Sequence, residues 1–362
     1  MDQFKFGLEA EYCLANSESF KPLWYKDITF KQLDDLFTQI KIDDLPSLKG
    51  LSAELPHQKI MPFIVEGYGL PNQDNVIIDA LPKGVEIRTP VCDSIDETIS
   101  VFETLYTRMK SSLLTTKVTP VSLSHHPTEI KFSGPQNKRR HDYWIWAMEV
   151  MTTYGPDINV SFSNEITEKL FADIDDLEAK VNYYSPAIAL PTLNSPFYNG
   201  KLWLHKGQQG KSYRTFKRSI VAPAIELHPD ENFRIEFKVC EMSDSSADFY
   251  AYFLLVMTLF LNEELTGRAS KQERIYDLGQ ISYLGFKDED TALKLKDLLK
   301  LSEKTLSKYN LNLNYLSIIE ERLRKKSTPA DKLIQFFLEN GQSIEKVMQN
   351  LSHLHTLEGK II

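Results

Sequence analysis

The chain has only 3 cysteines in 362 residues, Cys13, Cys92 and Cys240, an odd number with no paired spacing. That argues against a disulfide framework and a cysteine-built zinc site, and fits reduced thiols serving as small core residues. No apolar run approaches the roughly 20 residues a bilayer demands; the longest, Phe249 to Leu261, reads as a buried helix. The opening residues MDQFKFGLEAEY carry acids where a signal peptide needs an apolar stretch, so the expected location is the cytoplasm, with no membrane partner. Positive charge is also in short supply, 42 Lys plus Arg against 50 Asp plus Glu, for a formal charge of -8. Nucleic-acid binding needs cations gathered on one face. The two compact basic clusters, Lys138-Arg139-Arg140 and Arg322 to Lys326, read as solvated helix ends, so no nucleic-acid partner is expected.

The usual nucleotide signatures are missing too: there is no Gly-Lys-Ser/Thr loop and no dinucleotide fingerprint, so any phosphate site would have to be metal-built. A Gly-x-Ser-x-Gly elbow is lacking, and the 8 histidines show neither of the usual zinc-enzyme spacings. His125-His126-Pro127 reads first as a hydrogen-bonded structural pair and second as a loop that touches a ligand. Repeats, low-complexity tracts and Ser/Gly linkers are absent, which predicts a single domain over 1–362, with a strand-rich core over about 1–245 and a helical part over about 246–362. With 42% hydrophobic residues, that length buries a sizeable core.

What the chain does have is alternation. Phe4, Phe6, Leu8, Ala10 and Tyr12 fall on one face of an extended strand, with Lys5, Gly7, Glu9, Glu11 and Cys13 on the other. Val85 to Arg88, Asp157 to Ser163 and Asn232 to Cys240 split the same way, the last with Phe233, Ile235, Phe237 and Val239 as its apolar set. Asn75 to Asp79 is apolar enough for a central strand, and Val118 to Ser124 is a weaker candidate. Ser94-Ile95-Asp96-Glu97 is a capping box ahead of a helix that runs through Leu113. A second helix is expected from about Arg140 to Tyr154, closed by Gly155-Pro156, and a third from Asn164. From about Ala247 apolar-periodic stretches alternate with caps such as Ser327 to Asp331. Strands before Glu241 with helices among and after them predict an α+β fold around a mostly antiparallel sheet.

An antiparallel sheet commonly buries one face and wets the other, so Glu9, Glu11, Glu86, Asp157 and Glu236 could simply face water. Acids on the polar faces of four strands would repel one another in a concave site, and hard cations remove that conflict. Mg²⁺ takes oxygen ligands and is commonly shared with nucleotide phosphates. Interleaved Arg88, Arg234 and Lys238 would then face phosphate or a substrate carboxylate.

These segments resemble the glutamate-cysteine ligase superfamily, specifically its second family of carboxylate-amine ligases. Gly7-Leu8-Glu9-Ala10-Glu11 is similar to its opening Gly-x-Glu-x-Glu strand, and Val85 to Pro90 to its Glu-x-x-Thr-Pro strand end. In the same order, His126-Pro127 resembles its His-Pro, Asn194 to Gly200 its Ser-Pro-Phe-x-x-Gly, and Ser212-Tyr213-Arg214 its Ser-x-Arg. Arg234 to Lys238 resembles its x-x-Glu-x-Arg strand and Thr328 to Asp331 its Ala-Asp helix start.

The resemblance implies a glutamine synthetase/guanido kinase-like catalytic fold, a curved sheet with helices on its outer face plus C-terminal helices. It implies Mg²⁺, two or more ions with Mn²⁺ as a substitute, and ATP as co-substrate. Glu9, Glu11, Glu86, Asp157 and Glu236 would hold metal, with Asp79 a further candidate nearby. Arg214 and Lys238 would be catalytic and, with Arg234, bind ATP phosphates; Arg88, Asn159 and Ser161 would bind substrate. The expected reaction joins a carboxylate, glutamate or a related amino acid, to an amine through an acyl phosphate, so the partners are small molecules. A homo-oligomer is compatible with the sequence. Two positions depart from the pattern: Asp157 stands where the family usually has His, and Lys238 where it usually has Arg. They keep open a binding homologue with degraded catalysis; a guanidino phosphotransferase on the same fold is the other alternative. The polar stretch Leu202 to Lys211 is read either as a lid or as a surface loop.

Overall fold

The computed structural model describes residues 4–133 and 147–362. Six strands precede residue 163: β1 (Phe4–Asn16), β2 (Pro22–Leu23), β3 (Phe63–Pro71), β4 (Ile77–Arg88), β5 (Val118–Val121) and β6 (Pro156–Phe162). Two small hairpins follow, β7 (Phe197–Tyr198) with β8 (Lys201–Leu202) and β9 (Leu204–His205) with β10 (Gln208–Gln209), and then β11 (Ile225–His228) and β12 (Arg234–Phe237). The main sheet is antiparallel throughout and curled, in the order β11-β12-β6-β1-β4-β3, with β2 and β5 pairing on the far end of β1. The fold is α+β, as the alternation and the resemblance implied.

The period of two dictates the layers. Phe6, Leu8, Ala10 and Tyr12 of β1, Val85 and Ile87 of β4, Ile158 and Val160 of β6 and Ile235 and Phe237 of β12 are all buried. They join one hydrophobic cluster with the helices Ile95–Leu114 and Ser246–Leu261. Burial of each large side chain contributes about 1.5–3 kcal/mol before the entropy of ordering it is counted. Nearly every residue of Ser246–Leu261 is buried, so this helix is central to the core. The same cluster continues into the later helices, including Glu289–Leu306 and Pro329–Glu339. With helices on the apolar face, the polar face of β4, β1, β6 and β12 is left to line an open cleft.

Several expectations need correction. The segment before Asp79 is not central: Val76 and Ile78 are exposed, and it joins Val85 to Arg88 in the single strand β4 beside the edge strand β3. Cys13 is buried despite its alternating position: β2 and β5 flank that end of β1, and the Tyr154 side chain lies against its thiol in the core. Phe233 is exposed, since Asn232 and Phe233 take left-handed φ values of 53° and 51° and the strand starts only at Arg234. The Ser94 hydroxyl caps Glu97 as expected, but the Glu97 carboxylate accepts from Asp93 N rather than from Ser94, so the box is half formed.

The helix expected over Arg140 to Tyr154 is seen as Ala147–Val150; its earlier part, with Lys138-Arg139-Arg140, lies outside the described residues. Arg322 is no solvated helix end: its guanidinium pairs with buried Asp248 at 2.7 Å, while Arg324, Lys325 and Lys326 are exposed. The stretch Leu202 to Lys211 is an ordered hairpin, anchored by Trp203 against Tyr213 and Phe216, with His205 stacked on Tyr283. Among the described residues no helix is long and apolar enough to cross a membrane.

Candidate active site

Strand register assembles the cleft. Glu9 on β1 stands directly across from Arg88 on β4 and from Asp157 on β6, and Glu11 stands across from Glu86. Glu236 on β12 faces Asn159 on one side and Glu226 of β11 on the other. The cleft encloses about 760 Å³ and is lined by Glu9, Glu11, Glu86, Arg88, Asp157, Asn159, Ser161, Arg234, Glu236 and Lys238. Every residue picked from the sequence for the site is therefore brought together except Arg214 and the weaker candidate Asp79. Asp79 is exposed at the start of β4, outside the cleft, and among the described residues its side chain accepts from the amide of Ala80.

One hydrogen-bonded network links these groups. Arg88 Nε reaches Glu86 at 2.7 Å and Glu9 at 3.8 Å, and its Nη1 pairs with Glu54. Asn159 donates to Glu9 at 3.3 Å and accepts from Arg234 at 2.5 Å, and Arg234 also holds Glu236 at 2.8 Å. Lys238 pairs with Glu236 and lies 3.2 Å from Asp157 and 3.4 Å from Glu226. The two positions that depart from the family pattern, Asp157 and Lys238, are thus an ion pair with each other.

The cations do not balance the acids. The cleft lining holds eight acidic side chains against five basic ones, an excess of three negative charges. Burial raises the carboxyl of Glu9, partly opposed by Arg88, and burial pushes Glu86 well up. Asp157 is raised to about 7 by burial, with Lys238 opposing. Glu236 is the exception: burial would raise it, yet Lys238 and Arg234 together outweigh burial and hold it at about 2. Ligand oxygens of Glu9, Asp157 and Glu236 all lie within 4.8 Å of one another. An octahedral Mg²⁺ with bonds near ~2.1 Å sets its ligand oxygens roughly 3–4 Å apart. The set is all oxygen, hard, and short of positive charge, so it suits such an ion. Glu226, His228 and Glu236 form a second group of the same size.

Several cleft groups escaped the sequence reading. Lys83 is buried, donates to Glu11 at 2.7 Å and to the Thr153 carbonyl at 3.0 Å, and lies 3.7 Å from Glu66. Burial would raise Glu11, but Lys83 outweighs it and lowers that carboxyl. Lys83 sits in Leu81-Pro82-Lys83-Gly84, where Pro and Gly hide the alternation. Glu66 lies at the β-bulge between Glu66 and Gly67, which breaks the period. His228 bonds Glu236 at 3.0 Å from the short strand β11, too brief to show a pattern.

Arg214 stands apart. It is 2% exposed, does not line the cleft, and its Nη2 donates to the Lys238 carbonyl at 3.5 Å. Burial and the like charge of Arg218 lower it to about 10. A Cβ on Gly155 would overlap this guanidinium, so Gly155 is required by Arg214 and not as a helix cap. Ser212 and Ser195, from the Ser-x-Arg and Ser-Pro-Phe segments, meet on fully buried Glu241. That carboxylate accepts from Ser212, from Ser195 at 3.0 Å, from Thr215 at 2.7 Å and from the Asn194 amide at 2.5 Å. His125 and His126 are the structural pair: both are buried, His125 bonded to Thr152 at 2.9 Å and His126 accepting from the Glu129 amide at 3.0 Å.

No protein-family model matches the sequence, and no curated protein matches it either. Solved structures do. A glutamate-cysteine ligase from Francisella tularensis in complex with AMP superposes with a TM-score of 0.61 at 12% identity, covering 97% of this chain and 88% of that one. A bifunctional glutathione synthetase from Pasteurella multocida gives 0.56 at 12% identity, covering 97% of this chain and 51% of that one, about half its length. The complex of the prokaryotic ubiquitin-like protein Pup with its ligase PafA gives 0.52 at 13% identity, covering 97% and 72%. The chain has the fold these ligases share, which is the fold the motif resemblance implied.

Proposed function

We propose that this chain is an ATP-dependent carboxylate-amine ligase whose chemistry takes place on the polar face of β4, β1, β6 and β12. The observation that carries this reading is the surplus of carboxylates over cations lining a cleft of about 760 Å³, on a fold shared with ligases. Glu9, Asp157 and Glu236 are the central metal-holding set, with Glu11 and Glu86 flanking it. A divalent cation there would supply the charge neutralisation that lets an anionic carboxylate approach ATP.

The donor carboxylate oxygen attacks the γ-phosphorus, the bond to the bridging oxygen breaks, and ADP leaves with the electron pair. The amine nitrogen then attacks the acyl carbon, phosphate leaves with its bonding pair, and the amine gives up a proton. Lys238 and Arg234 stand where they would meet phosphate oxygens as charge shifts between them. Arg88 offers its fork to the donor carboxylate, with Asn159 and Ser161 hydrogen-bonding its polar groups. Arg214 acts through the backbone of Lys238 as a positioning residue. None of these residues needs to form a covalent bond, so holding reactants together does much of the work. Glutamate or a related amino acid is the donor we favour.

The test is phosphate release from Mg-ATP across a matrix of amino-acid donors and amines, with mass spectrometry of the products. Substrate-dependent release with an amide product, abolished in Glu236→Gln, supports the ligase. Tight Mg-ATP binding without turnover in any well would favour the binding homologue instead, and absence of nucleotide binding would overturn both readings.

A further inference from the structure

A second cavity of about 530 Å³ lies beside the cleft, with no lining residue in common. Its walls are largely apolar, from Tyr68, Met148, Met151, Val221 and Pro223. Two of its lining residues contact cleft residues: Lys83, which is held by the cleft carboxylates Glu11 and Glu66, and Glu226, 3.4 Å from Lys238. One lining charge has no use in the network described above. Arg218, on the helix Tyr213–Val221, faces this cavity and makes no side-chain hydrogen bond or ion pair among the described residues. It is near enough to Glu11 and Asp157 to favour their ionised forms, which puts it at the end of the cavity that abuts the cleft.

An unpaired guanidinium beside an apolar chamber is complementary to one kind of ligand, an apolar group that carries an anion. At the junction the charge of Lys83 is already taken up by Glu11 and Glu66, which leaves the Glu226 carboxylate as the polar group of the lining that suits an ammonium. Carboxylate, ammonium and apolar side group on neighbouring atoms are the three parts of an apolar α-amino acid. A neutral purine would match the apolar walls but leave Arg218 without a counter-charge.

We infer that this cavity is the amine-acceptor subsite and that it takes an α-amino acid with an apolar side chain, its carboxylate on Arg218, its side chain between Met148, Met151 and Val221, and its amine directed into the cleft. This rests on the ligase reading for the word acceptor; the ligand chemistry stands on the cavity alone.

The experiment uses the full chain and two readouts. In equilibrium binding, L-norleucine is compared with L-norleucinamide, which lacks the carboxylate, and with glycine, which lacks the side chain. Norleucine should bind at least ten-fold tighter than either. Arg218→Gln should remove that preference over the amide, Arg218→Lys should keep part of it, and Val221→Trp should block norleucine by filling the chamber. In the phosphate-release assay Arg218→Gln should raise the KM for an apolar amino acid at least ten-fold and leave the KM for ATP unchanged. Equal binding of acid and amide, or norleucine no tighter than glycine, overturns the inference. A loss of Mg-ATP affinity in Arg218→Gln, with norleucine unaffected, overturns it in favour of a nucleotide subsite. If no amine supports turnover, the ligase reading fails while the binding comparison still decides the chemistry of the cavity.

Discussion

Two groups of carboxylates withdrawn from solvent behave differently in this molecule. Glu241 has no exposed surface and is fully satisfied by three hydroxyls and a backbone amide. Glu86 is buried and Glu9 and Asp157 half-buried, but burial drives their pKa values up because neighbouring cations do not make up for lost water. A carboxylate that the protein itself satisfies is part of the scaffold. One that it leaves short of positive charge marks where something from outside is expected to bind.

The sharpest test of this contrast is Glu241→Ala. It strands buried hydroxyls and the Asn194 amide, and separates the two segments that carry Ser195 and Ser212. A loss of about 3–5 kcal/mol is expected in urea unfolding, the range for breaking a buried charged network. A loss under about 1 kcal/mol would mean the two groups are not different in kind.

Glu9→Gln should do the reverse. Turnover should fall by at least ~100-fold, the scale of losing one preorganised electrostatic contact, while the Tm stays level or rises, since one member of a repelling cluster becomes neutral. A clear drop in Tm with activity retained would make Glu9 a scaffold residue.

Third, Mg²⁺ or Mn²⁺ should raise the stability of the wild type, by about 2.7 kcal/mol at a hundred times Kd. The gain should vanish in Glu236→Gln and persist in Glu241→Gln. Equal stabilisation of all three proteins would place the ion elsewhere.

The last test, read as a slope per pH unit, extends the rule to a base. Burial lowers His125 to about 3, so it is neutral when folded, and among the described residues its Nδ1 has no hydrogen-bond partner. Below about pH 6.5 the unfolded chain takes up a proton that the folded one refuses, so this group subtracts stability as the pH falls from 6.5 towards 3. In His125→Gln the slope of stability against pH in that window should be shallower by up to about 1.4 kcal/mol per unit. An unchanged slope would mean that His125 is protonated in the folded protein.

Much of the site was legible because it lies on regular strands. In β1, β4, β6 and β12 the period of two put Glu9, Glu11, Glu86, Arg88, Asp157, Asn159, Ser161, Arg234 and Glu236 opposite the buried set before any fold was known. Groups on irregular backbone were not legible, since Lys83 sits beside Pro82 and Gly84 and Glu66 beside a bulge, and the burial of Cys13 depends on a contact with distant Tyr154. Gly155 shows how the same residue can be misread. Its place before Pro156 suggests a helix stop, whereas its reason is the guanidinium of Arg214, nearly sixty residues later.

The sequence alone determined which residues share a face, because side-chain direction follows from local backbone geometry. It also determined the absence of the familiar phosphate loops and the ordered motifs that resemble a ligase family. Only the tertiary structure decided which faces meet. Strand order put Glu9 between Arg88 and Asp157, and chain crossing brought Ser195 and Ser212 onto Glu241. Helix packing buried Arg214 while leaving Arg218, one turn further on, facing a cavity. Those outcomes depend on contacts between residues far apart in the chain, and no local period encodes them.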